Sequence, residues 1–223
     1  MSNSYLILMP EITKGMKSIG PKALLPINTK QTVLDKQIQS IKSINRRNKI
    51  YLATGFHHNK ISKIIHKYKN VNIINEKEYD KYNQCKHILN FIKYTDVSED
   101  VFVINNGILF KKECFVPLKK HNKSTIYFLD KPKDNFNIGS ESENSKYLFY
   151  DLSRKWSECV FLTKECLQNI QKANQQSDIS NYFLFEAINM IYENTEIVEN
   201  TISYRKIMKI NNHTDLSKAK RFI

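Results

Sequence analysis

The chain has 223 residues, 41% of them apolar, enough for one domain with a sizeable core. No run approaches the roughly 18 to 20 apolar residues of a membrane span, and a basic-then-apolar leader is absent from the N-terminal residues, so a cytoplasmic protein is expected. The net charge of +13 favours anionic partners, but the basic residues are spread rather than gathered into an arm, and the four cysteines form no Cys-x-x-Cys pair that would indicate zinc or a disulfide framework.

The run Tyr5-Leu6-Ile7-Leu8-Met9, bounded by Pro10, reads as a short buried strand. A loop follows and ends in Pro21-Lys22. A lysine behind a rigid proline, past the carboxyl end of a first strand, sits where open α/β sheets bind ligands and offers a point charge to a phosphate. Residues 31 to 44 place Val33, Leu34, Gln37, Ile38, Ile41 and Ile44 at helical spacing. A strand over 49 to 54 ends at Gly55-Phe56. A helix from Asn59 to Tyr68 follows, then a strand Val71 to Ile74, then a helix opened by Asn83 with Ile88, Leu89, Phe91 and Ile92 inward. Val101 to Ile104 is a further buried strand, closed by Asn105-Asn106-Gly107.

This alternation predicts a mainly parallel sheet with helices on both faces and right-handed crossovers, an α/β Rossmann-like domain. Beyond it the pattern loosens. Short strands are expected near Ser124 to Leu129, Tyr147 to Asp151 and Cys159 to Leu162, with helices near 163 to 173 and 182 to 193. Strands near 196 to 210 and a helix from Asp215 complete the chain, and the polar stretch Asp130 to Lys146, containing Pro132 and Gly139, reads as a mobile loop or hairpin arm. Trp156 reads either as core or as a stacking surface for a base or a choline cation. The adjacent His57 and His58 point in different directions on any backbone and make a poor metal pair. No nucleophile sits on a recognisable elbow or beside a plausible base.

The stretch LILMPEITKGMKSIGPKALLPINTKQTVLDKQIQSI resembles the opening of the sugar-phosphate nucleotidyltransferases, whose pattern is L-A-A-G-x-G-T-R-M, a spacer, P-K-x-L-L-P-I and a helix carrying Q-I. Leu8, Met16, Pro21, Lys22, Leu24, Leu25, Pro26, Ile27, Leu34, Gln37 and Ile38 match, whereas Pro10, Glu11, Thr13 and Gly15 stand where the family has Ala, Gly, Gly and Arg. The likeness continues in order. Thr54-Gly55-Phe56 is similar to "vtGY", Asn75 with Tyr79 to Asn83 to "N-x-x-y-x-x-t-N", Ile104 to Phe110 to "L-N-G-D-h-L-F", and Ile210 to Leu216 with Ala219 to "I-D-T-P-E-D-L-x-x-A".

The resemblance implies one nucleotidyltransferase-like domain over 1–223, with a nucleotide-binding half over 1–110 and a substrate half over 111–223. It implies a fold built to join an NTP to a sugar-1-phosphate or phosphocholine, a reaction that rests on positioning and on neutralising phosphate charge. Lys22 falls at the phosphates, while Leu8, Met9, Lys14, Gly55 and Asn83 fall at the nucleotide. Asn83 reads equally as an N-cap. The metal positions fall on Asn106 or Gly107, depending on where the gap lies, and on Asn211. Two aspartates would hold Mg²⁺ there, and amides in their place remove about two units of charge from a hard-cation site. Asp215 and Glu11 are the nearest acids that could compensate. The expectation is therefore a protein that keeps the fold and Lys22 with impaired or lost transfer, needing Mg²⁺ only if active. The other reading is a non-catalytic scaffold, binding an acidic protein or nucleic acid, either form being able to oligomerise.

Overall fold

In the computed structural model the described residues are 3–9, 21–114, 123–143, 145 and 147–222. Their elements alternate as the apolar pattern predicts. β1 (Ser4–Met9), α1 (Val33–Ile44), β2 (Lys49–Thr54), α2 (His58–Ile65), β3 (Val71–Asn75), α3 (Gln84–Thr95) and β4 (Val101–Asn105) form the first half. Then come β5 (Ile108–Phe110), β6 (Ser124–Leu129), β7 (Ile138–Ser140), β8 (Phe149–Tyr150), β9 (Arg154–Leu162), α4 (Lys164–Gln176), α5 (Leu184–Ile191), β10 (Ile197–Ile202), β11 (Ile207–Lys209) and α6 (His213–Phe222).

The main sheet runs β10-β6-β9-β4-β1-β2-β3. β1 pairs in parallel with both β2 and β4, and β2 with β3; β9 alone in this path runs antiparallel, between β4 and β6. The chain leaves β1 toward β2 and returns on its other side at β4, which makes the gap between the carboxyl ends of β1 and β4 the topological switch point. β1 is buried along its whole length, so its side chains divide by the strand period of two. Leu6 and Leu8 face a core completed by Ile88 and Phe91 of α3, Leu167 of α4 and Ile188 of α5. Tyr5, Ile7 and Met9 face the opposite core, with Leu34 and Ile38 of α1 and Ile61 of α2.

Local chemistry fixes the helix that underlies the site. Thr32 caps α1 by accepting from Asp35 N at 3.2 Å, while Asp35 Oδ2 accepts from Thr32 N at 2.9 Å, so two otherwise free amides are satisfied reciprocally. Asp35 is also held by Lys67 and by Tyr68 Oη. Burial raises its pKa, but these partners outweigh that and leave it below the usual carboxylate range. A small sheet of β5 and β11, antiparallel, is covered by Leu216, Ala219 and Phe222 of α6 and joins Leu25, Ile27 and Val33 in a third cluster.

Several predicted bounds shift. The second helix ends at Ile65 rather than Tyr68, and the strand placed at 159–162 extends back to Arg154. Arg154 lies over the Phe128 ring at 3.8 Å and pairs with Glu199, which lets a charged residue continue a buried strand. The stretch 130–146 is in part a hairpin arm: Ile138 and Gly139 pair with Tyr150 and Phe149. Trp156 belongs to the core, 1% exposed, with Nε1 donating to Cys159 O at 3.0 Å, so it is no stacking surface. Among the described residues no helix is long and apolar enough to cross a membrane.

Candidate functional site

At the switch point lies a pocket of about 200 Å³, lined by Leu8 of β1, Lys22, Asn105 and Asn106 at the end of β4, Glu158 of β9, Lys209 of β11 and Asn211, among others. It is polar and narrow, below the roughly 300 to 1,000 Å³ usual for drug-sized ligands.

Its floor is the Asn105-Asn106-Gly107 turn, and the core holds that turn in place. Gln37 of α1 is fully buried and donates from Nε2 to Ile108 O at 2.9 Å. Asn106 N donates to Leu8 O at 2.9 Å, which ties the turn to β1. Gly107 has φ +83°, and a Cβ there would stand 3.1 Å from both Ile210 O and Lys22 Cδ. The turn therefore requires glycine both for its left-handed backbone and for the close approach of the 210 segment. Asn105 accepts at Oδ1 from Gln84 Nε2 at 3.1 Å, and Gln84 Oε1 accepts from Leu184 N at 3.1 Å. This chain of amides links the N-terminus of α5 to the pocket.

The pocket's one carboxylate among its described lining residues is Glu158. A register shift between Ile126 and Phe128 marks a bulge in β9, and there Glu158 takes φ +58°, a left-handed conformation that disfavours side chains by roughly 1 to 3 kcal/mol. Its Oε2 accepts from Asn105 Nδ2 at 3.0 Å, and its Oε1 is ion-paired with Lys209 Nζ. Both side chains are largely buried, 6% and 15% exposed.

The motif-placed residues scatter differently. Lys22, in the 3₁₀ turn Lys22–Leu24, lines the pocket together with Leu8, Asn106 and Asn211. Met9 does not: adjacent strand residues face opposite sides, and Met9 lies in the core with α1 and α2. Lys14 and Glu11 lie outside the described residues. Asn83 occupies the N-cap position of α3 without making a side-chain cap bond; its Nδ2 donates to Asn181 O at 2.5 Å, and the neighbouring Gln84 lines the pocket instead. Gly55 sits in a separate, shallow cleft with His57 and His58. Asp215 accepts from Asn211 N at 2.9 Å at the start of α6, outside the pocket's lining, so it does not supply the compensating acid.

The metal positions do not fit a divalent cation. Gly107 has no side chain, Asn211, whose Nδ2 donates to Asn135 O at 2.9 Å, offers only a neutral amide oxygen, and Glu158 is already neutralised by an ammonium. Asn106 Oδ1 is buried without a partner, one neutral oxygen where hard cations take several, usually charged. Among the described residues no group of three or more His, Cys, Asp or Glu side chains is placed to hold a metal.

Sequence reasoning missed Glu158 and Lys209. A signal existed: each is the one charge in a mostly apolar run, Trp-Ser-Glu-Cys-Val-Phe and Ile-Met-Lys-Ile, and buried charges of opposite sign seek each other.

Solved structures of nucleotidyltransferases superpose on nearly the whole chain, so this mixed sheet with a pocket at the β1/β4 switch point has the nucleotidyltransferase fold. CTP:phosphocholine cytidylyltransferase (LicC) from Streptococcus pneumoniae matches with a TM-score of 0.79 at 14% identity, covering 99% of each chain. The inositol-1-phosphate CTP transferase from T. maritima gives 0.79 at 11% identity, over 99% of this chain and 94% of that one. A putative glucose-1-phosphate thymidylyltransferase from Bacillus anthracis gives 0.77 at 11%, with the same coverages. No protein-family profile and no curated protein sequence matches the chain.

Proposed function

We propose that this protein binds a nucleotide or a phosphorylated small molecule, such as a sugar phosphate or a phosphocholine-like compound, in the β1/β4 pocket, and that nucleotidyl transfer is impaired or lost. The observation that carries this reading is the composition of the pocket: Lys22 lines it together with the amides Asn106 and Asn211, which the sequence resemblance puts at metal positions, and its one carboxylate among the described lining residues is paired with Lys209. Phosphoryl chemistry of this kind needs charge neutralised at the moment of transfer, and amides supply dipoles without net charge. The neighbours' activities on CTP with phosphocholine and inositol-1-phosphate support the ligand class.

Thermal stability measured with each of the four NTPs, and pyrophosphate release measured with a panel of sugar-1-phosphates and phosphocholine in Mg²⁺, test it together. A nucleotide at 100 times its dissociation constant adds about 2.7 kcal/mol of stability. Lys22→Met weakens that nucleotide's binding about tenfold, since it removes a charged contact worth roughly 1.4 kcal/mol or more. Pyrophosphate release on the order of 1 s⁻¹ with any substrate pair would overturn the loss of catalysis.

A further inference from the structure

The acid that the pocket does contain is joined to a base, and this gives the site a different chemistry from a metal-centred one. Glu158 is aimed inward by a bulge and a left-handed backbone, a conformation retained only where the surroundings over-determine it. Asn105 Nδ2 fixes one carboxylate oxygen, and Lys209 Nζ occupies the other. A divalent cation at Glu158 would have to expel the ammonium and leave it buried without its partner, which is costly. An anion need not displace the ammonium, and the charge it meets at Glu158 is partly offset by Lys209. An ammonium has three donors, so Lys209 can keep Glu158 with one and offer another to a phosphate oxygen. Lys22 brings a second positive charge to the same lining. Asn106, whose Oδ1 lacks a partner, presents its amide nitrogen instead when the terminal group turns over.

We propose that Lys209, held by Glu158, is the chain's own substitute for a divalent cation, so that the pocket binds the phosphate groups of its ligand without metal. This rests on the reading of the pocket as a phosphate-ligand site and adds how the charge is met. Glu158 then has two effects. It positions the ammonium, and it competes with the ligand for it.

Titration calorimetry of the intact protein with inorganic pyrophosphate, in EDTA and in Mg²⁺ with allowance for the Mg²⁺ that pyrophosphate itself binds, separates the possibilities. The wild type is expected to bind equally well in both, within about threefold. Glu158→Gln keeps the shape and hydrogen bonding but removes the competing charge, and tightens binding several-fold. Glu158→Gln with Lys209→Met leaves no buried unpaired charge, so it folds, and it weakens binding at least tenfold in EDTA. Lys209→Arg retains most of the affinity. Binding by the wild type that appears only with Mg²⁺, or a double variant that binds as the wild type does, would overturn the proposal and leave the pocket reading intact. If neither pyrophosphate nor any NTP binds under either condition, the pocket reading itself fails, and this inference with it.

Discussion

Two depressions open at the carboxyl ends of the parallel strands of one mixed sheet, and they have little else in common. The pocket between β1 and β4 gathers side chains from distant segments, and its polar groups reach one another across the gap: Gln84 to Asn105, Asn105 to Glu158, Glu158 to Lys209. The cleft beyond β2 and β3, lined by Gly55, His57, His58, Glu76 and Tyr79, is occupied with itself. His58 Nδ1 bonds Thr54 Oγ1 at 2.9 Å, and Glu76 accepts from Glu78 N at 3.0 Å and from Asn90 Nδ2 at 2.5 Å. Gly55 lies under Tyr79. Position at the ends of parallel strands is thus insufficient to make a site. What distinguishes the pocket is a buried ion pair brought inward from distant segments and held by a chain of amides. On this comparison, substitutions around the cleft should change stability alone, whereas those around the pocket should change ligand binding as well.

The largest effect is expected behind the cleft, at His87. The imidazole is 1% exposed, Nε2 has no partner, and burial pushes its pKa down from 6.5 to about 4, with Lys86 adding to the shift and Glu76 opposing it. The folded state therefore holds His87 neutral at pH values where the unfolded chain has already taken up the proton. Stability is full above pH 6.5 and falls as the pH drops toward 4, by about 3 kcal/mol over that window. Glu76 and Glu99, whose carboxyls are held below their ordinary values by hydrogen bonds and nearby cations despite burial, lose their contribution at lower pH still. Urea unfolding at pH 7 and pH 4.5 checks this, and His87→Leu should flatten most of the difference. Equal loss in that variant would assign the acid sensitivity elsewhere.

Gly55→Ala comes next. The added Cβ would stand 2.3 Å from Tyr79 Cβ, an atom next to the backbone that cannot swing aside. Overpacking of this kind costs about 2 kcal/mol. Urea unfolding gives that loss, while pyrophosphate affinity measured on the folded protein should stay at the wild-type value. A large loss of affinity would instead make the cleft part of the ligand site and collapse the distinction.

The legibility of the chain follows the same division between local and distant causes. β1 and β4 are buried along their length and apolar but for Ser4 and Asn105, and the helices carry regular apolar stripes, so the first half is readable from nearest-neighbour spacing. β5, β7 and β8, of three, three and two residues, are too short to show a period, and β9 hides Arg154 behind a charge satisfied by Phe128 and Glu199 from elsewhere. At the site, motif order led to Lys22, Asn106 and Asn211. It also attached Met9 beside Leu8, which the two-residue alternation of a strand forbids. Glu158 and Lys209 lie 51 residues apart, and their pairing exists only once β9, β4, β5 and β11 are assembled.

The smallest effect expected on stability is also the one that tests the coupling of core to pocket. Gln37 is on the inward face of α1, far in sequence from the turn it holds, and its Nε2 contacts Ile108 O at 2.9 Å and Asn105 O at 3.4 Å. Its Oε1 has no partner, so the side chain carries an unsatisfied acceptor in a fully buried place. Gln37→Met keeps the length and flexibility, loses the donated hydrogen bond, and at the same time removes that acceptor. The two changes offset, and the net cost should be only about 1 kcal/mol. Binding should respond more than this figure suggests. Asn105 and Asn106 are set by the same turn, Asn105 orients Glu158, and Glu158 holds Lys209. A turn that drifts loosens all of them together. Pyrophosphate affinity should therefore fall several-fold in Gln37→Met while Gly55→Ala, the more destabilising change, leaves it untouched. The reverse order of affinities would show that the pocket's geometry does not depend on its core support.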